Sequence, residues 1–137
     1  SNIMAAIGIE QLKRFPQMAA QRQRIAKKYD SLLSEVPNLE IFNHDYDAIV
    51  PHIYVIQCNG LSREKLRAIL NRKDIQTGIH YQPNHSLSLY EKNSENLPIV
   101  DNIYPCLLSL PLHIDMTEDE VELICNELNG AIHLCFK

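Results

Sequence analysis

A helical pattern that runs from Ile3 to Val36, broken once by Pro16, sets the terms for how this chain folds. Ile3, Ala6, Ile7, Ile9, Leu12 and Phe15 fall along one side of a helix, and Asn2 ahead of them suits an N-cap. A proline inside a helix removes a backbone donor and crowds the carbonyl four residues back, but it fits a first turn. The spacing therefore predicts two consecutive helices, about 3–14 and 16–35, ended by Val36 and Pro37. The second carries Arg22, Arg24, Lys27 and Lys28 on its polar side, which reads as a solvated face.

Beyond residue 36 short β-type runs alternate with helical ones. A brief apolar segment covers 39–42, and a polar loop with Asn43, His44 and Asp45 follows. Residues 52–58 alternate and are rich in β-branched and aromatic side chains, so they read as a strand. Asn59-Gly60 turns the chain, and Ser62 caps a helix to about Arg72 with Leu66, Ile69 and Leu70 inward. Residues 75–81 read as a second strand with Gly78 inside it. A glycine there marks either a bulge or a close approach of some group to the backbone. A polar loop spans 82–96, long enough to be either functional or disordered. A short helix at 97–103 has Pro98 in its first turn. A third strand, 107–112, is interrupted by Pro111 and so belongs at a sheet edge. Thr117 to Glu120 form a capping box for a last helix, with Val121, Ile124, Cys125 and Leu128 as its apolar stripe. Gly130 offers a stop, although the apolar tail 131–136 is able to extend that helix. The order predicts an α/β, α+β-like domain: a small, mostly antiparallel sheet of three to four strands covered by helices. Residues 1–36 read as connecting helices and 37–137 as the small domain.

Bulk properties remove several classes of function. The 137 residues suit one domain, and 13 basic against 17 acidic residues leave no basic stripe for nucleic acid. No apolar run approaches the roughly 20 residues that span a bilayer, and no signal-peptide pattern opens the chain. Cys58, Cys106, Cys125 and Cys135 sit singly in apolar runs without C-x-x-C spacing. They read as free thiols in a reducing cytoplasm. Gly8, Gly60, Gly78 and Gly130 are too scattered for a phosphate-cradling loop. No serine-hydrolase elbow or thiol-catalysis signature is present.

The chemically richest stretch is Thr77 to His85, with Tyr90 just beyond. It places His80, Tyr81, His85 and Tyr90 at a strand end and in the loop that follows, where rigid scaffolds usually carry function. Histidine exchanges protons near neutral pH, and tyrosine both stacks and hydrogen-bonds, as sugar recognition requires. The residues alone leave a second reading open, a solvated loop whose rings pack on the surface. A metal at His80 and His85 is disfavoured, because no nearby cysteine or suitably spaced carboxylate completes a ligand set. His52, opening a strand, reads as a half-buried structural histidine. His44, His113 and His133 have no supporting context.

Several segments, in order, resemble the last third of DegT/StrS-type nucleotide-sugar aminotransferases. S-N-I-M-A-A-I-G-I-E-Q-L is similar to the helix after that family's G-Y-N-Y-R motif. Gln21 to Ala26 with Tyr29 resembles its arginine-rich helix, and His52-Ile53-Tyr54-Val55-Ile56 its "H-x-Y/F-V-I" strand. Arg63 to Leu66 resembles the helix that follows. Thr77-Gly78-Ile79-His80-Tyr81 with His85 and Tyr90 resembles its most diagnostic signature. Leu97-Pro98, Leu108 to Leu112 and Met116-Thr117 complete the series.

The resemblance implies the small C-terminal domain of the aspartate-aminotransferase-like, pyridoxal-phosphate (PLP) transferase fold, within a dimer whose active sites lie between subunits. It implies transfer of an amino group, usually from glutamate, to a keto group on a nucleotide-linked sugar. The Schiff-base lysine and the G-Y-N-Y-R residues are expected upstream of Ser1, so no catalytic or cofactor-binding residue is assigned here. His80, Tyr81, His85 and Tyr90 are implied to position the sugar nucleotide. On this reading the isolated chain is inactive and binds no cofactor, and Ile3, Ala6, Ile7 and Ile9 are bare in it. The competing expectation is a non-catalytic module that binds a nucleotide-sugar or pairs with another subunit.

Overall fold

The computed structural model describes residues 1–90 and 96–135. Residues 91–95 of the expected polar loop, Phe136 of the apolar tail and Lys137 lie outside the described residues. Helix α1 spans Asn2–Leu33, β1 Leu39–Ile41, β2 Tyr54–Cys58, α2 Arg63–Asn71, α3 Pro98–Ile103, β3 Leu107–Leu110 and α4 Glu118–Cys135. The three strands form one antiparallel sheet in the order β1-β2-β3, within the expected three to four.

The two helices expected around Pro16 are one continuous helix. Pro16 denies the Leu12 carbonyl its helical donor. Leu12 is 71% exposed, so solvent is free to serve that carbonyl and the helix has no reason to end. Its N-cap is Ser1 rather than Asn2, with no side-chain cap bond. The first half of α1 stands clear of the body, while Ala19, Ile25, Ala26, Tyr29 and Leu33 enter the core. The expected caps elsewhere are present. Lys65 N–H donates to Ser62 Oγ at 3.4 Å, Thr117 N–H to Glu120 Oε2 at 2.8 Å, and Glu120 N–H to Thr117 Oγ1 at 3.2 Å. The last helix continues through Gly130.

Successive strand residues face opposite sides of a sheet. Tyr54, Ile56 and Cys58 of β2, with Leu108 and Leu110 of β3, pack against Tyr29, Leu66, Leu70, Val121 and Leu128 of the helices. Tyr29 stacks on Tyr54 with ring centroids 4.6 Å apart. Each tyrosine also finds a polar partner: Tyr29 donates to the Pro111 carbonyl at 3.0 Å, and Tyr54 to Asp30 Oδ1 at 2.7 Å.

The basic side of α1 is not merely solvated. Arg22 Nη1 donates to the Pro51, His52 and Leu112 carbonyls at 3.4, 3.2 and 3.2 Å, tying α1 to the chain entering β2 and leaving β3. Lys27 pairs with Asp47 at 2.6 Å, Lys28 with Glu122 at 2.5 Å and Arg24 with Glu118 at 3.7 Å. These side chains reach the loop before β2 and α4, contacts that only the tertiary fold creates.

The strand expected over 75–81 shrinks to a single bridge, Gly78 opposite Ser109, closed by two backbone hydrogen bonds of 2.9 Å. The register explains part of this. The next hydrogen-bonded pair would set Gln76 against Pro111, which has no amide proton to donate. The third strand holds the edge position that Pro111 foretold, with Gly78 against its outer side.

Candidate functional site

Ser109 lies opposite Val55 in the β2–β3 register, on the sheet face away from the helices, yet it is only 3% exposed. What covers it is the region around Gly78 and His80. His80 Nδ1 sits 2.9 Å from Ser109 Oγ. The ring lies so close to Gly78 that a β-carbon there would clash with its Cε1 and stand 2.9 Å from its Nδ1. Of the two readings of Gly78, close approach is the correct one, and the group that approaches is the histidine two residues on. Tyr81 meets the His80 ring edge-on, centroids 5.0 Å apart. Tyr81 itself is 70% exposed.

A cavity of about 270 Å³ opens beside this cluster, lined by His52, Ile53, Gln76, Gly78, His80 and Leu112 among others. His52 precedes β2 instead of opening it and is exposed, so its ring is a cavity wall and not a packed core group. Larger hollows of about 450 and 530 Å³ lie along α2 and beside α4, and none of the four candidate residues lines either.

His85 is held separately. It sits in a short 3-10 turn, Asn84–Ser86, where Ser86 Oγ donates to the Pro83 carbonyl at 2.7 Å. His85 Nε2 lies 2.7 Å from Asp101 Oδ1 of α3. A carboxylate accepts, so Nε2 carries the proton, and Nδ1 has no hydrogen-bond partner among the described residues. Tyr90 follows a turn closed by its N–H on the Leu87 carbonyl and is half exposed. The structure thus brings His80 and Tyr81 together, while Tyr81, His85 and Tyr90 do not line the cavity beside His80. Ser109 and Asp101 escaped notice in the sequence. The signal for Ser109 was a lone hydroxyl in an apolar strand; Asp101 gave none.

The buried titrating groups are structural. Burial pushes the thiols of Cys58 and Cys125 up to about 12 and raises the phenols of Tyr29 and Tyr54. Such thiols are poor nucleophiles. Among the described residues no group of three or more metal-ligating side chains occurs, and no helix is long and apolar enough to cross a membrane.

The DegT/DnrJ/EryC1/StrS aminotransferase family matches residues 1–129. The spore coat polysaccharide biosynthesis protein SpsC of Bacillus subtilis (strain 168) is 33% identical over 141 residues, covering 96% of this chain and 36% of SpsC. The aminotransferase TlmJ from Streptoalloteichus hindustanus superposes with a TM-score of 0.83 at 26% identity, over 95% of this chain and 36% of TlmJ. Helicobacter pylori PseC, an aminotransferase involved in the biosynthesis of pseudoaminic acid, shares the fold with a TM-score of 0.85 at 23% identity, over 96% of this chain and 37% of PseC. The chain therefore spans little more than a third of the length of these relatives. The architecture is the one expected, a small α/β fold with a three-stranded antiparallel sheet covered by helices, shared with solved aminotransferases. With the family matched from residue 1 to residue 129 and the sheet arranged as in its solved relatives, this chain belongs to the DegT/DnrJ/EryC1/StrS aminotransferase family.

Proposed function

We propose that this chain is the substrate-side domain of a PLP-dependent aminotransferase that acts on a nucleotide-linked keto-sugar in polysaccharide, lipopolysaccharide or glycan biosynthesis. The family match over 1–129 carries the reading. In this reading glutamate or a similar amino acid is the donor, and the working form is a cytoplasmic homodimer. Residues 1–36 connect to the preceding part of the enzyme and 37–137 form the small domain. The bare apolar side of α1 packs on that preceding part. Ile3, Ile7, Ile9 and Leu12 are each more than half exposed here. Apolar surface gathered on one helix is ordinarily a contact face.

The residues present do not fit the cofactor on their own. PLP takes an amine for its aldehyde and a cradle for its phosphate. Lys13, Lys27, Lys28 and Lys73 are held by Glu10, Asp47, Glu122 and Glu127. Among the described residues no lysine lines the cavity beside His80. The reactive lysine belongs to the preceding polypeptide.

The chain's own part is to bind and orient. His80, Tyr81, His85 and Tyr90 are the residues assigned to the sugar nucleotide. Imidazole N–H and phenol O–H groups donate to hydroxyl and phosphate oxygens, and the rings offer apolar faces to a sugar or base. The test is expression of the complete reading frame with PLP and measurement of amino transfer from glutamate to nucleotide-linked keto-sugars. Turnover by the complete protein, with none by residues 1–137 alone, is the expected result. A complete product that binds a nucleotide-sugar but takes up no PLP would show a non-catalytic module instead.

A further inference from the structure

We propose that Ser109 is a positioning residue for His80: its hydroxyl donates to Nδ1, clamps the imidazole against Gly78, and leaves Nε2–H as the donor offered to ligand. The functional half of this rests on the reading of His80 as a sugar-nucleotide contact. The geometric half does not.

Ser109 is the one buried polar residue among those described, at 3% exposure. A hydroxyl carries one proton, and a buried donor without an acceptor is costly, because it gives up its water partner and gains none. Among the described residues the only partner of Ser109 Oγ is His80 Nδ1, at 2.9 Å. The backbone around it is already spent, because Ser109 N–H and C=O pair with Gly78 C=O and N–H, both at 2.9 Å. The hydroxyl proton therefore goes to Nδ1. A neutral imidazole that accepts at Nδ1 carries its proton at Nε2.

Gly78 completes the device. Its missing β-carbon is the space the ring occupies, so the bridge that fixes the Gly78 backbone to β3 also fixes the floor under His80. Serine wall and glycine floor hold an otherwise exposed side chain without burying it. An Nε2–H donor fixed in this way suits an oxygen acceptor such as a sugar hydroxyl or a phosphate oxygen. His85 is posed the opposite way, engaged through Nε2 by Asp101.

The test uses the 137-residue chain with nitrogen-15-labelled histidine. In the unmodified chain at a pH where His80 is neutral, the expected spectrum has Nδ1 unprotonated, Nε2 protonated, and a Ser109 hydroxyl proton slow enough in exchange to be seen. The Gly78 α-protons are expected to be displaced by the ring current of His80. Ser109→Ala should collapse that displacement and shift the His80 ring nitrogens, and Ser109→Thr should restore both. A proton on Nδ1 in the unmodified chain, or no change at Gly78 and His80 in a folded Ser109→Ala, would overturn the proposal. The unmodified spectrum decides the donor direction even if Ser109→Ala fails to fold. In the complete enzyme, Ser109→Ala should lower kcat/KM for the sugar nucleotide about tenfold, with Ser109→Thr recovering it. A clamped ring in an enzyme indifferent to His80→Ala would sink the site reading alone. A free ring in an enzyme that needs His80 would sink the clamp alone.

Discussion

The imidazole of His80 occupies the volume that a side chain on Gly78 would fill; a β-carbon placed there would stand 2.9 Å from Nδ1 and 3.1 Å from Nε2. A residue two places along the chain is thus seated by the absence of a side chain, with the edge strand β3 as a second wall. The sheet supplies rigidity, and the ring it seats stays exposed.

Replacement of Gly78 by alanine should therefore act on the ring and little on the fold. His80 is exposed and can rotate away, but Ser109 Oγ then loses its partner. The stability cost is therefore a rotamer adjustment plus an unsatisfied hydroxyl, about 1–3 kcal/mol. Urea denaturation of Gly78→Ala should show that loss. The His80 ring resonances should move as far as they do in Ser109→Ala. Unfolding of the variant, or unmoved resonances, would contradict the seating described.

Asp30 gives a pH signature. Burial raises its carboxyl above the ordinary 3.8, against the lowering effects of the Tyr54 hydrogen bond and of nearby His44. A raised carboxyl contributes stability that is complete below its unfolded value and is lost as pH rises through its folded value. The unmodified chain should lose stability relative to Asp30→Asn as pH rises from about 4 into the folded titration range. Tyr54→Phe removes a bond to the charged form and should carry that loss to higher pH. Urea midpoints measured across pH 3–8 check both directions.

The capping box makes a local prediction. Thr117 and Glu120 satisfy each other's backbone amides at the start of α4, at 2.8 and 3.2 Å. Thr117→Ala should cost about 1 kcal/mol in thermal or urea unfolding. Glu120 is held below its ordinary 4.5 by these bonds with Thr117. Its contribution is present above that value and fades as pH falls through the lowered one. The deficit of Glu120→Gln should therefore narrow in acid.

The bare half of α1 predicts behaviour in solution. With Ile3 at 73%, Ile9 at 56% and Leu12 at 71% exposure, the 137-residue chain should associate at high concentration. Sedimentation velocity should show this, and Ile7→Glu with Leu12→Lys should reduce it. A monodisperse monomer at high concentration would argue that the face has no partner.

How much of this was legible in the residues follows from the range of the forces. The Ser62 cap, the Thr117–Glu120 capping box, the alternation within β2 and the edge position of β3 are local effects. Each is present, although β2 begins at Tyr54 and not at His52. Pro16 misled because its cost depends on whether solvent reaches the Leu12 carbonyl, a tertiary fact. The run at 75–81 has strand composition, but its pairing stops where β3 presents Pro111. Arg22 reads as surface charge until the fold brings the Pro51, His52 and Leu112 carbonyls to it. At the candidate site, residue chemistry singled out His80, Tyr81, His85 and Tyr90, the resemblance added their implied role, and the close approach at Gly78 was one of two readings. Ser109 and Asp101 were not, since a hydroxyl or carboxylate gains meaning only from the ring it meets.

The most direct measurement separates the two halves of amino transfer in the complete protein, monitored by the absorbance of bound PLP. If this domain forms the sugar side of the active site, His80→Ala and His85→Ala should leave the reaction with glutamate near its original rate. The same variants should slow the reaction with the nucleotide-linked sugar by about tenfold or more. Equal rates for both halves in all variants, or loss of the glutamate half alone, would contradict the account.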